Sequence, residues 1–421
     1  MGKELNLISE QSKKYPKVQN LMRYVNKENL LREHRHMNPK KAVGVDGITK
    51  EMYEKELNSN IDKLIVKMKR FSYRPKPTRK VEIMKDNGKK RPLGISSYED
   101  KLVEGVMAEV LSAVYEPRFH NCSYGFRPKR NMHQAIGVIN HSLMFEKINY
   151  VIDFDIEGCF DNMEQEWLMK FLENDIQDRN YLRYIVRFLK SGIMKDGIYE
   201  DSDVGVKQGN RMSPVLANVY LHYVLDEWIE KGIRKHSRGN VRLVRFADDS
   251  VILCQNEQDA KEIFALLPQR LAKFNLKMNN DKSKIIPFGR NKGTKEKFDF
   301  LGFTFINGKD REGKYRVHIQ TSKKKMKKCK MNIKEWLKEK MHEPINETME
   351  KIIKKLRGHF NYYGINGNIK QLSNYSNYIC QTYYRVLRRR GQKRPIKFED
   401  YIRIWKHYDI PKIKIYQNIW F

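Results

Sequence analysis

An α+β fold follows from three features of this 421-residue chain: an acidic hairpin, a second acidic strand and a long basic tail. Phe246-Ala247-Asp248-Asp249 lies between two apolar β-rich runs, Val241 to Phe246 and Val251 to Cys254. That pattern predicts a hairpin with an acidic tip. Tyr150-Val151-Ile152-Asp153-Phe154-Asp155-Ile156 alternates apolar and acidic residues, and Glu157-Gly158-Cys159-Phe160-Asp161 follows. From Ser322 onwards the periodicity is mainly helical.

The remaining elements follow in chain order. Residues 1–40 read as a basic helical extension carrying Lys13, Lys14, Arg32 and Arg35. Gly44-Val45-Asp46-Gly47 marks a turn, and 51–70 an amphipathic helix. Strands are expected at Arg79 to Ile83 and Arg91 to Ile95, joined through Asp86-Asn87-Gly88. Helices follow at 99–116 and 130–147, then the acidic strand, then helices across 164–191. Val204 to Gly209 is a loop or short strand. Pro214 to Ile229 reads as one helix with its proline in the first turn. After the hairpin come a helix at 257–273 and a strand pair or kinked strand at Phe298 to Phe305. The expected division is an extension at 1–40, a core at 41–315 and a helical module at 316–421.

Composition narrows the partners. The net charge of +32 points to a polyanion, with nucleic acid first. No long apolar span or signal peptide is visible, which argues against a membrane role. Five scattered cysteines without a Cys-x-x-Cys pair read as reduced thiols of a cytoplasmic protein, and argue against a zinc-bearing nuclease module. Residues 321–421 hold 25 Lys and Arg against 8 Asp and Glu, and nine of the 23 tyrosines. Cations interleaved with aromatics suit a surface that tracks a backbone and stacks bases; a solvated helical face over a tyrosine core is the alternative.

Adjacent carboxylates repel, and an aspartate on a buried strand is costly unless it is paired or binds metal. For the hairpin alone, a plain acidic turn is an equal reading. One carboxylate from the Tyr150 strand and two from the hairpin together make a hard oxygen site suited to Mg²⁺. Two such ions can hold the attacking and leaving oxygens of a phosphoryl displacement. The constellation suggests the palm of a nucleotide polymerase.

Seven segments in order strengthen this: Gly44 to Gly47, Arg91-Pro92-Leu93-Gly94-Ile95, Tyr124-Gly125-Phe126-Arg127-Pro128, Asp155 to Asp161, Gln208-Gly209 with Ser213-Pro214, Phe246 to Asp249, and Leu301-Gly302-Phe303. In that order they resemble the bacterial group II intron-encoded reverse transcriptase/maturase, in its form without an endonuclease domain. Arg357-Gly358-His359-Phe360-Asn361-Tyr362-Tyr363 is similar to the family's maturase segment. The resemblance implies a right hand, with fingers and palm followed by a helical thumb. It implies RNA-templated DNA synthesis from a DNA primer and dNTPs, with two Mg²⁺ per site, and binding of group II intron RNA to assist splicing.

Residue roles also come from the resemblance. Asp155, Asp248 and Asp249 match the catalytic metal ligands, with the Ile156 carbonyl as a further ligand. Asp153 and Asp161 have no assigned metal role. Phe160 falls where a ring beneath the sugar excludes a 2′-hydroxyl; core packing is its other reading. Gln208 and Gly209 match the loop that contacts the incoming nucleotide, and Lys85 and Arg91 match cations that grip triphosphate. Lys282 or Lys284 lies where a lysine can protonate pyrophosphate; RNA contact is the alternative. Arg357, Tyr362, Tyr363, Arg388, Arg389 and Arg390 are expected on the RNA-binding surface.

Three positions depart from the family pattern: Phe246 for the usual Tyr, Asn210 for a second Gly, and Ser96-Ser97 for a proline. None removes a metal ligand. Two rival readings are an RNA-binding splicing factor with little polymerase role, and a free-standing relative in DNA repair or antiviral defence. The intact aspartates argue against the first; flanking DNA decides the second.

Overall fold

The computed structural model describes residues 3–84, 90–195, 198–200, 205–207, 209–292, 296–390 and 395–420. Its strands are β1 (Thr78–Met84), β2 (Lys90–Ile95), β3 (Tyr150–Phe154), β4 (Ile193–Lys195), β5 (Ile198–Glu200), β6 (Val241–Phe246), β7 (Asp249–Cys254), β8 (Lys284–Pro287), β9 (Lys297–Phe300), β10 (Phe303–Lys309) and β11 (Tyr315–Thr321). They form three sheets, ordered β2-β1-β4-β5, β6-β7-β3-β8 and β11-β10-β9. The chain divides into two compact units. The first comprises Met1–Asn131, Phe154–Ser250 and Lys261–Lys284, the second Met132–Asp153, Val251–Ala260 and Ile285–Phe421.

The hub of the first unit is the helix Tyr98–Tyr115, apolar around most of its circumference. Such a helix must be covered on all sides. Helices Lys3–Lys14, Lys27–His36 and Ser213–Leu221 supply that cover. The first 40 residues pack on the hub helix. Ile8 and Leu30 are fully buried, and the Ser12 hydroxyl donates to the Val114 carbonyl at 2.6 Å.

β1 and β2 pair antiparallel from Arg79 opposite Ile95 to Met84 opposite Lys90, as their alternation suggested. β4 joins β1 in parallel. The hairpin of β4 and β5 has three residues per strand, too few to show a period. The helix expected from Pro214 to Ile229 is α-helical only to Leu221. It then widens into π-helical turns at His222–Asp226 and Trp228–Ile233.

In the second unit, β9 and β10 form a hairpin whose turn residues Leu301 and Gly302 are both left-handed, at φ 48° and 79°. That twist matches the right-handed twist of paired strands. β11, absent from the sequence reading, pairs with β10 from Phe303 opposite Thr321 to Lys309 opposite Tyr315. Helix Met132–Phe145 packs on it. The tail folds as helices Lys323–Glu339, Ile345–Tyr363, Ile369–Arg390 and Phe398–His407. Met349, Ile352, Leu356 and Phe360 make the buried stripe of the second, at helical spacing. None of the helices described is long and apolar enough to cross a membrane.

The hub helix also buries two acids, Asp100 and Glu104. Ser97 donates to Asp100 at 2.5 Å and Ser96 to Glu104 at 2.6 Å. Replacing a proline by Ser96-Ser97 thus supplies both acids with a donor. Burial still drives the Glu104 carboxyl up to about 8. Folded Glu104 keeps its proton to near that pH, whereas the unfolded carboxyl releases it near 4.5. Between those values the folded state binds the extra proton, so stability falls as pH rises, by about 1.4 kcal/mol for each pH unit at the steepest. Glu104→Gln is therefore expected to lose less melting temperature than wild type between pH 5.5 and 8.5. Equal losses in calorimetric scans of the two proteins would count against the buried, protonated carboxyl.

Candidate active site

The acidic tip is shaped by its backbone before its charge. Between β6 and β7 only Ala247 and Asp248 intervene, and Ala247 is left-handed at φ 58°. A non-glycine residue there costs on the order of 1 kcal/mol, so the surroundings must impose it. Gly125 lies against the turn so closely that a Cβ on it would stand 2.4 Å from the Ala247 nitrogen. The Tyr124 N–H donates to the Arg245 carbonyl, and the Arg245 N–H to the Cys122 carbonyl, both at 2.8 Å.

The Arg245 side chain completes the hold. It is fully buried and grips Asp226 with two bonds, Nε to Oδ1 at 2.7 Å and Nη2 to Oδ2 at 2.5 Å. Its Nη1 donates to Asn218 Oδ1 at 2.9 Å and to the Ala247 carbonyl at 3.1 Å. Asn218 in turn donates to the Gly125 carbonyl at 2.7 Å. Burial alone would raise the Asp226 carboxyl, but Arg245 outweighs it and holds it down at about 2. The sequence reading passed over Arg245, Asp226 and Asn218. Their signal was an arginine inside the apolar run Val241 to Phe246, since a buried charge requires a partner.

Asp155 follows directly on β3. Its N–H donates to Ser283 Oγ at 3.2 Å, and its carbonyl accepts from the Asn279 N–H at 2.8 Å. The Glu157 N–H donates to the Lys277 carbonyl at 2.8 Å. Ile156, between them, faces Met278 as the non-bonded member of this antiparallel bridge. Its own carbonyl therefore points away from 277–279. Lys282 Nζ sits 2.7 Å from Asp155 Oδ2, and that bond raises the lysine above its ordinary range; Asp249 adds to the effect. Lys284 begins β8 and is exposed. The buried Cys159 thiol is pushed up by burial, then by Asp248, with Asp161 and Asp155 contributing. One neighbourhood thus contains Asp155, Asp248, Asp249 and Lys282.

Their carboxylates do not gather within 4.8 Å of one another, as expected of like charges with a lysine already on Asp155. The donors are all oxygen: Asp155 and Asp248 are partly exposed and Asp249 is exposed, with a main-chain carbonyl beside them. That set fits a hard divalent cation. Among the described residues the one group of three metal-type ligands within 4.8 Å is His120, His222 and Glu227, where His120 Nε2 lies 2.9 Å from Glu227 Oε1.

Phe160 is half-buried on the short helix Cys159–Asn162. Its carbonyl accepts from the Val206 N–H at 2.8 Å. Gly209, at φ 111°, lies so close to β2 that a Cβ would stand 2.4 Å from the Gly94 carbonyl. Asn210 does not adopt positive φ, so a second glycine is not needed there; its Oδ1 accepts from the Met212 N–H at 2.8 Å. Lys85 and Gln208 lie outside the described residues; Arg91 lies on β2 opposite Ile83.

Residues 75–305 match the family described as reverse transcriptase (RNA-dependent DNA polymerase). The chain belongs to this family. Protein YkfC of Escherichia coli is 32% identical over 307 residues, 65% of this chain and 78% of YkfC. The group II intron-encoded protein LtrA of Lactococcus lactis is 36% identical over 190 residues, 45% of this chain and 31% of LtrA. An uncharacterized 91 kDa protein in the cob intron of Schizosaccharomyces pombe is 34% identical over 232 residues, 54% of this chain and 28% of that protein. The chain thus spans under a third of two of these relatives. The resemblance to intron-encoded reverse transcriptases is borne out, as is the α+β fold with a helical tail.

The helical tail lies beyond the matched segment. Tyr362 is 38% exposed, its hydroxyl on the Leu301 carbonyl, whereas Tyr363 is buried at 8% beside Phe303. Tyr363 is therefore a packing residue first. Arg357, Arg388, Arg389 and Arg390 are exposed, and Arg390 donates to the Glu343 carbonyl at 3.0 Å.

Breaking the buried pair tests what holds the acidic turn. Asp226→Asn strands the Arg245 charge and is expected to destabilise the fold by about 3–5 kcal/mol. The double variant Arg245→Met with Asp226→Leu should recover much of that stability but not DNA synthesis, because the Ala247 carbonyl has lost its donor. Denaturant midpoints and primer extension, measured on the same preparations, separate the two effects. Full synthesis by the double variant would exclude this role for Arg245.

Proposed function

We propose that this chain extends the 3′-hydroxyl of a DNA primer with dNTPs on an RNA template, and that Asp155, Asp248, Asp249 and the Ile156 carbonyl hold two Mg²⁺. The observation that carries this reading is the convergence of Asp155 and its lysine on the Asp248-Asp249 turn, within a chain of the reverse transcriptase family. When bound, such a pair of ions favours the attacking alkoxide and offsets charge on the leaving pyrophosphate.

The protein's own groups do the rest. Lys282 pairs with Asp155 and would serve as proton donor to the leaving group. This favours Lys282 over Lys284 for that role. Phe160 lies under the sugar and excludes a 2′-hydroxyl. Gln208 and Gly209 contact the incoming nucleotide, while Lys85 and Arg91 take the triphosphate. The basic tail, with Arg357, Tyr362 and Arg388 to Arg390, binds RNA, including the group II intron RNA whose splicing the chain assists. The charge excess of 17 in residues 321–421 and the likeness to an intron-encoded relative support that part.

Asp155→Asn and Asp248→Asn should each lower RNA-templated DNA synthesis on the order of 100-fold or more while leaving RNA affinity nearly unchanged. Primer extension with and without EDTA, beside filter binding, reads both. Substantial extension by either folded variant would sink the metal assignment. Phe160→Ala should cut the preference for dNTPs over NTPs by about 10-fold or more. An unchanged ratio of incorporation rates on one primer-template would return Phe160 to simple packing.

A further inference from the structure

Gly358 lies inside the helix Ile345–Tyr363, where glycine is a poorer helix former than alanine. Nothing in the second unit requires it: a Cβ at Gly358 would meet no atom within 4 Å. Its φ is not positive, so no backbone conformation demands glycine either. The open space in front of it is a cavity of about 470 Å³. Lys325, Lys355, His359, Tyr362 and Tyr375 contribute to its walls. His359 and Tyr375 are stacked with centroids 4.0 Å apart and planes at 27°, and Tyr362 is partly exposed. The buried Nε2 of His359 has no hydrogen-bond partner among the described residues.

A glycine with free space beside it, an aromatic wall and two lysines have one ligand chemistry in common. An unpaired nucleotide offers a π-face to stack and a phosphate for the lysines, and its sugar needs close backbone approach. We propose that this pocket receives one unstacked base of an RNA strand, with its backbone passing over Gly358 and its phosphate between Lys325 and Lys355. This rests on the reading of the tail as an RNA-binding surface and names the site and the feature of the RNA it selects. A flat duplex surface would need no cavity, and a purely electrostatic face would need no glycine.

The test uses the full chain and two short RNA hairpins, identical except that one carries a single bulged adenosine. Wild type should bind the bulged hairpin about five-fold more tightly or better in fluorescence anisotropy. Gly358→Ala should abolish that preference, leave affinity for the fully paired hairpin unchanged, and melt no lower than wild type. Lys355→Gln should lower the salt slope for the bulged hairpin by about 0.7. A wild type that binds both hairpins equally, or a Gly358→Ala variant that keeps the preference, overturns the pocket while leaving RNA binding standing. Failure of wild type to bind either hairpin overturns the RNA-binding reading itself.

Discussion

The acidic turn depends on a buried ion pair that bonds the backbone of the turn itself. Arg245 and Asp226 are both fully buried, and removing two charges from water is costly. The cost is offset because the arginine fork satisfies both oxygens of Asp226 and still reaches Asn218 and the Ala247 carbonyl. Ala247 is thereby kept left-handed, and Asp248 and Asp249 are presented from a two-residue turn. A hydrophobic replacement of the same volume would fill the space, but it would not specify which way the turn carbonyl faces.

Much of this was legible in the sequence. Short β-rich runs with turn signals located β1 and β2, the alternation of apolar and acidic residues located β3, and two apolar runs around an acidic tip located the β6–β7 hairpin. The order of seven short segments located the family. What remained hidden was short, or lacked a distinctive period. β4 and β5 have three residues each and were invisible to any alternation test. The π-helical turns after Leu221 share their residues' apolar character with an ordinary helix, yet they set where Asp226 enters the core. Tyr363 shows the opposite failure: an aromatic in a basic segment suggested a surface, and only packing against Phe303 revealed a core side chain.

The candidate site was legible in its acids and not in its supports. Asp155, Asp248 and Asp249 announce themselves as charges that folding does not need. The sequence offers Lys282 and Lys284 alike, and only the fold shows that Lys282 pairs with Asp155. Two of the three departures from the family pattern also became intelligible only in space. Ser96 and Ser97 serve buried acids of the hub helix, and Asn210 bonds the Met212 N–H just before the next helix.

The short segment from Gly205 to Gly209 is tied at both ends. The Phe160 carbonyl accepts from Val206 at one, and Gly209 presses on Gly94 at the other. On the roles proposed for Phe160 and Arg91, selection of the sugar and grip on the triphosphate would then not be independent settings. On those proposed roles, a substitution in β2 chosen to speed synthesis would be felt at the Phe160 backbone, and a variant selected for relaxed sugar choice would alter nucleotide affinity. Engineering for yield and engineering for accuracy would then meet at Val206 and Gly209.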